Sequence, residues 1–232
     1  METRFQHALD AMRAELRARS DVTALLFSGS VQRGEGKPSS DLDLNAITLG
    51  SERWSECRWV EGVEVQVQFA PLRVWQQQVA SLQAVVLHAF TTGDLLFDKT
   101  GEAADLKLRA ARSYADGPRA LSVTETDRER FILSNQVRDL EDLPEHGVEA
   151  RMLAGQTVLD SLKAWSAFRR IWVHKKPTVL LRNVRNGDAS LAAKVESFYE
   201  SGSPGSAIVI ADSVLDMVGG RIFEFSTPPK SV

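Results

Sequence analysis

A short stretch near the start of the chain combines residue types that bind phosphate with residue types that bind a divalent cation. Gly29 and Ser30 follow an apolar run, and after ten intervening residues Asp41 and Asp43 stand two positions apart. Glycine lets the backbone turn and approach a ligand, and N–H groups at a helix start can hold phosphate, to which Ser30 adds a hydroxyl. Two neighbouring carboxylates repel each other unless a cation lies between them. The spacing therefore predicts a site for a metal ion and a phosphate.

The types of metal ligand favour Mg²⁺, with Mn²⁺ as the alternative, because the acids have no His or Cys near them in the sequence and hard oxygen ligands do not select zinc. A third acid, Glu64, lies in the alternating run Val63–Phe69 and is expected to project from an adjacent strand. A phosphate cradle with three carboxylates suits the transfer of a phosphoryl-containing group to an acceptor hydroxyl. A solvated strand residue is the alternative interpretation of Glu64.

Hydrophobic periodicity predicts the elements that must position these residues. Helices are predicted at 3–19, 72–81 and 102–114, and strands at Val22–Phe27, Asp41–Ile47, Glu52–Val60 and Val63–Phe69. On the strand Asp41–Ile47 both aspartates would share one face, because side chains alternate with a period of two. The loop Arg33–Ser40 would connect the phosphate turn to this strand, and residues 83–98 form a mostly apolar segment.

From about Ala120 onward the pattern changes to helical periodicity. The helices are predicted at 126–142, 147–173, 188–200 and 205–218, followed by a loose tail at 226–232. The expected fold class is α/β (α+β), with an α/β domain over residues 1–118 and an α-helical domain over residues 119–232.

The spacing of Gly29-Ser30 and Asp41-Leu42-Asp43 resembles the signature of the DNA polymerase β-like nucleotidyltransferase superfamily. Within it, the sequence looks most like the aminoglycoside and lincosamide nucleotidyltransferases that modify antibiotics. Gly36–Leu44 is similar to their loop and strand, Val63-Glu64-Val65 to the strand with their third carboxylate, and Leu95–Gly101 to the element that ends their catalytic domain. The resemblance covers about residues 20–115 and implies a mixed-sheet catalytic domain. Beyond these residues it implies only that an α-helical bundle follows.

This resemblance implies an enzyme that transfers a nucleoside monophosphate, with AMP from ATP expected, to a hydroxyl of a small molecule such as an aminoglycoside or lincosamide antibiotic. Pyrophosphate would be released. Asp41 and Asp43 would bind Mg²⁺, with two ions expected, and Glu64 would be a metal ligand or the general base. The residues that would bind the nucleotide are Gly29, Ser30, Arg33 and Ser40, although Arg33 is equally well explained as a surface arginine.

Two other functions stay open. A protein-modifying regulator would place AMP on a partner protein, as the antitoxin nucleotidyltransferases do. A non-catalytic module would bind nucleotide without turnover. The absence of a P-loop, Gly-x-Gly-x-x-Gly, His-Glu-x-x-His or Gly-x-Ser-x-Gly motif argues against other common enzyme classes.

The net charge of −3 argues against a nucleic-acid partner, but it conceals an uneven distribution. Residues 151–186 contain eight basic residues and one acid, a local charge of +7 that leaves −10 on the remainder. In two-domain members of the superfamily, cations of the helical domain reach the triphosphate, which would make Lys163, Lys175 or Lys176 its partner here. A solvated helix face is the alternative.

The remaining features give weaker indications. Cys57 is the single cysteine, so it cannot form an internal disulfide, and it is interpreted as a small buried residue on a strand. A single cysteine, the absence of a signal peptide and the absence of a membrane span together predict a cytoplasmic protein. A homodimer is possible. Arg169-x4-His174 resembles the short motif of HEPN ribonucleases, but a helix-terminal histidine is the simpler interpretation. Five tryptophans could stack on a base or drug ring, although we expect packing roles. They are Trp54, Trp59, Trp75, Trp165 and Trp172.

Overall fold

The chain forms two compact units, Met1–Asp116 and Gly117–Val232. The computed structural model describes residues 2–144 and 146–226, with Ser201 described by its backbone only. From Thr227 onward, the tail predicted to be loose lies outside the described residues. The expected fold class is confirmed, because a mixed sheet in the first unit is followed by helices in the second.

The first unit contains a five-stranded sheet with the order β3-β4-β2-β1-β5. Its strands are β1 (Val22–Ser28), β2 (Leu42–Thr48), β3 (Trp54–Val60), β4 (Val63–Pro71) and β5 (Asp94–Asp98). Strands β2 and β4 are parallel, and the other pairs are antiparallel. The helices are α1 (Thr3–Ala18), α2 (Gly29–Gln32), α3 (Leu72–Ala80), α4 (Ala84–Thr92) and α5 (Glu102–Ala115). The apolar segment 83–98 thus contains both a helix and a strand.

The alternation of apolar and polar residues along β4 determines which face of the sheet is buried. Val63, Val65 and Val67 are buried in the core together with Phe5 and Met12 of α1. The intervening polar residues of β4 are only half-buried. A slip of one residue would exchange the two sets, so burial of the valines fixes the strand register and points the polar residues to the other face.

The second unit is helical in the part of the chain that the structure describes. Its helices are α6 (Val123–Asp142), α7 (Val148–Phe168), α8 (Pro177–Gly187), α9 (Ala189–Ser201), α10 (Pro204–Leu215) and a 3₁₀ turn at Asp216–Val218. Trp165 is fully buried in its core. The predicted helix 147–173 is too long, because α7 ends at Phe168 and Arg170 has a positive φ of 56°. Pro177 then starts α8.

Within residues 2–144 and 146–226, the structure contains no helix long and apolar enough to span a membrane.

Candidate active site

The turn after β1 brings the predicted phosphate-binding backbone against a carboxylate. Gly29 starts α2 with a φ of +90°, a conformation that L residues with a side chain rarely adopt. A Cβ added to Gly29 would collide with the carboxylate of Asp43 on β2. Glycine is therefore required for two independent reasons, its backbone conformation and the close approach of Asp43.

The loop after α2 folds back so that two predicted phosphate-binding hydroxyls lie near each other. The Ser30 hydroxyl donates to Ser40 Oγ at 3.4 Å, and the backbone N–H of Lys37 donates to the same oxygen at 2.9 Å. The backbone N–H of Glu35 donates to the Ser30 carbonyl at 2.8 Å. Ser30 and Ser40 are half-buried, so their hydroxyls are positioned by the loop and still reachable.

Arg33 occupies the start of the same loop, where it forms an ion pair with Glu35 at 3.0 Å. Exposed ion pairs of this kind contribute little to stability. The Arg33 guanidinium could exchange Glu35 for a phosphate at small cost. Arg33 therefore remains either a phosphate-binding residue or a surface arginine.

The structure places Asp43 on a strand, as predicted, but it places Asp41 outside that strand. Asp43 lies on β2, paired with Ser28 of β1 and adjacent to Gln66 of β4. Asp41 lies just before the strand, which starts at Leu42, so the prediction that both acids are strand residues is wrong for Asp41. The reason is that the pairing of β2 starts with Leu42 opposite Val65 of β4 and with Asp43 opposite Ser28 of β1, and neither pairing extends to residue 41. Both aspartates are half-buried.

Glu64 is held by two neighbours on the same face of the sheet. Its Oε1 accepts hydrogen bonds from Gln66 Nε2 at 3.0 Å and from Cys57 Sγ at 3.2 Å. The hydrogen bond from Gln66, followed by that from Cys57, lowers the pKa of Glu64. Glu64 is therefore an ionised carboxylate at neutral pH with its side chain oriented by its neighbours.

Cys57 is exposed, so the prediction of a buried apolar residue is wrong. It lies on β3, at the edge of the sheet, and its side chain points to the polar face of β4 and not to the core. The hydrogen bond to Glu64 is the largest cause of a raised pKa of the Cys57 thiol, and the negative charge of Asp41 also contributes. Asp41 is thus close enough to act electrostatically on this part of the sheet.

The three predicted carboxylates do not form a ready-made metal cluster. Among the described residues, no group of three His, Cys, Asp or Glu side chains is arranged to hold a metal ion. Asp43 lies against Gly29, whereas Glu64 is bound by Gln66 and Cys57. These oxygen donors still fit Mg²⁺, because Mg²⁺ is commonly held by one or two carboxylates together with substrate phosphates.

Gln66 is the residue of this site that the sequence analysis missed. It lies two positions after Glu64, and the alternation of β4 therefore places it on the same face. That spacing was available in the sequence. The contact of Cys57 with Glu64 depends on the β3–β4 pairing, in which Cys57 lies opposite Gln66.

The predicted phosphate-binding lysines lie in the second unit. Lys163 of α7 forms an ion pair with Asp160 at 2.8 Å. Lys176 is exposed at the N-cap of α8, and Lys175 precedes it in an exposed position. The basic segment 151–186 therefore lies in α7, in α8 and in the loop that connects them, and Asp160 neutralises the charge of Lys163.

The two residues that resemble a ribonuclease motif take part in local contacts. The Arg169 guanidinium lies over the Trp165 ring at 5.2 Å and donates to the Gly187 carbonyl at 3.3 Å. His174 Nδ1 accepts a hydrogen bond from the Lys176 backbone N–H at 3.2 Å. His174 lies in the loop between the end of α7 at Phe168 and the start of α8 at Pro177, so the interpretation as a helix-terminal histidine is wrong.

Comparison with known proteins identifies a fold and no family. The sequence matches no protein-family model and no curated protein. Among solved structures, the chain is similar to a nucleotidyltransferase-like protein from Exiguobacterium sibiricum 255-15, with a TM-score of 0.50 and 14% sequence identity. The similarity covers 91% of this chain and 74% of that chain. The chain thus has a nucleotidyltransferase-like fold, an α/β unit followed by a helical one.

Proposed function

We propose that the protein is a Mg²⁺-dependent nucleotidyltransferase that transfers a nucleoside monophosphate, AMP from ATP, to a hydroxyl of a small molecule. One observation carries the proposal: the carboxylate of Asp43 lies directly against the Gly29 backbone. An anion-binding turn and a cation-binding side chain are thereby in contact, as the binding of a metal–triphosphate complex requires. The nucleotidyltransferase-like fold agrees with this interpretation.

The proposed transfer is an in-line displacement at the α-phosphorus. The acceptor oxygen forms a bond to the α-phosphorus, the bond from that phosphorus to the bridging oxygen of the β-phosphate breaks, and pyrophosphate leaves with that oxygen. The hydroxyl proton passes to the Glu64 carboxylate. Mg²⁺ held by Asp41 and Asp43 would supply charge neutralisation on the phosphates.

Glu64 suits the role of general base because a base must be unprotonated before it accepts a proton. Glu64 is ionised at neutral pH, and the hydrogen bonds that lower its pKa fix its orientation while making it a weaker proton acceptor. Both observed hydrogen bonds go to Oε1, so neither of them uses Oε2. We assign the proton transfer to Oε2.

The phosphates would be bound by the turn at Gly29 and by the hydroxyls of Ser30 and Ser40, with Arg33 released from Glu35.

We propose an aminoglycoside or lincosamide as the acceptor, and hence a role in antibiotic resistance in the cytoplasm, on the sequence resemblance alone. The protein is incubated with ATP, Mg²⁺ and kanamycin, streptomycin, spectinomycin or lincomycin, and pyrophosphate release is measured. We expect release that depends on both Mg²⁺ and one of these compounds. Release that requires a protein fraction instead would favour a protein-modifying regulator. Calorimetric binding of ATP without release would favour a non-catalytic module.

A further inference from the structure

Trp59 differs from the other four tryptophans because its side chain is exposed to solvent. Its side chain is 73% exposed, whereas Trp75 and Trp165 are buried and Trp54 stacks on Phe69 with ring centroids 4.5 Å apart. The expectation of a packing role is therefore wrong for Trp59. An exposed indole offers a large, rigid apolar surface with a polar N–H, which is the usual make-up of a contact residue.

The pairing of β3 with β4 places this indole beside the proposed general base. Trp59 lies directly opposite Glu64, and side chains of such pairs share one face with Cβ atoms about 5 Å apart. The neighbouring Arg58 confirms the orientation, because it points to the other face and donates to Glu15 of α1 at 2.6 Å. A cavity of only about 40 Å³, smaller than a ring compound, is lined in part by Trp59, Glu64 and Ser40 and also borders Phe5 of α1.

The strand order determines what should lie over Trp59. From β1 to the edge, the order is β1, β2, β4, β3, so the site runs from the Gly29 turn through Asp43 and Glu64 to Trp59. In an in-line displacement the acceptor enters opposite the leaving group. With pyrophosphate at the Gly29 turn, the acceptor must enter from the side of β4 and β3.

The distance between β2 and β3 also suits an acceptor of modest size. Strands in a sheet are about 4.8 Å apart, so β3 lies roughly 10 Å from β2, where Asp43 would hold the metal–phosphate complex. A ring-containing molecule of one or two rings spans this distance. A hydroxyl on such a molecule would reach Glu64 while its ring covers the indole.

We propose that Trp59 is the platform on which the acceptor stacks, and that the acceptor is a hydroxylated ring compound that presents the flat face of a sugar, cyclitol or aromatic ring. The proposal rests on the proposed nucleotidyl transfer and names the class of its acceptor. Stacking on an aromatic side chain tolerates many ring types, so Trp59 selects for a ring and Glu64 for a hydroxyl.

The test measures the KM of the acceptor with kanamycin and lincomycin as ring compounds and glycerol as a hydroxyl compound without a ring. Trp59→Ala is expected to raise the KM of the ring compound about tenfold, with unchanged kcat at saturation and unchanged KM for ATP. Trp59→Phe should restore most of the affinity. Leu49→Ala, which shortens another apolar side chain that is 68% exposed, is the matched control and should change neither constant.

An unchanged KM for the ring compound in Trp59→Ala would overturn the platform while leaving the nucleotidyl transfer intact. So would glycerol as efficient an acceptor as the ring compounds, or a Trp59→Ala variant that alters only the association state in size-exclusion chromatography. No pyrophosphate release by the wild-type protein with any acceptor would overturn both the transfer and the platform.

Discussion

Asp43→Asn is expected to lower the rate of pyrophosphate release about 10³-fold, because a metal ion supplies several kcal/mol of charge stabilisation that a neutral amide cannot anchor. The substitution keeps the shape of the side chain and removes only its charge. Asp43 is half-buried beside Gly29, so the amide fits the same space. The loss should therefore appear in turnover and in the Mg²⁺ dependence, with circular dichroism and Tm close to those of the wild type.

The matched control is Asp10→Asn, which makes the same change on the exposed face of α1, where Asp10 accepts a hydrogen bond from Gln6. This variant should retain full activity. A folded Asp43→Asn protein with wild-type turnover would show that no metal-bound phosphate depends on Asp43, and the proposed mechanism would be wrong.

Gly29→Ala is expected to abolish ATP binding in calorimetry and to lower turnover at least 100-fold. The added Cβ meets the Asp43 carboxylate, so either the turn or Asp43 must move. Alanine at a φ of +90° also costs about 1–2 kcal/mol of stability. Both effects disturb the contact between the turn and the carboxylate, on which the proposed function depends.

Gly101→Ala separates the cost of the backbone conformation from the contact with Asp43. Gly101 has a φ of +83° but nothing lies within 4 Å of its hypothetical Cβ. This variant should lose only the roughly 1–2 kcal/mol that comes from the backbone conformation, measured by urea denaturation, and it should keep its affinity for ATP. If Gly29→Ala binds ATP as tightly as Gly101→Ala does, the turn does not hold the nucleotide.

The sequence is sufficient to predict the parts of the site that depend on local alternation. The valines of β4 and the acid Glu64 follow a strict period of two, and the register fixed by the buried valines presents Glu64 as expected. Gln66 follows by the same rule. The position of Asp41 was not predictable, because the start of β2 depends on where its pairing with β4 and with β1 begins, and both strands are distant in the sequence.

Other errors come from contacts between residues far apart in the sequence. On β3, Arg58 points toward the core side because Glu15 and Met12 of α1 receive it, which leaves Cys57 and Trp59 on the opposite, exposed face. Residue type alone predicts the opposite arrangement, with Cys57 and Trp59 buried and Arg58 exposed. In the second unit, the end of α7 near Arg170 has no glycine or proline to announce it, since Arg170 itself adopts the positive φ.

Transfer of label from ATP tests the central claim most directly. ATP labelled at the α-phosphate or at the γ-phosphate is incubated with the protein, Mg²⁺ and the acceptor that supports pyrophosphate release. Nucleotidyl transfer predicts that the α-label appears on the acceptor and the γ-label in pyrophosphate, and that Asp43→Asn shows neither. Appearance of the γ-label on the acceptor would identify a phosphotransferase, and the absence of any α-labelled product would contradict nucleotidyl transfer by this site.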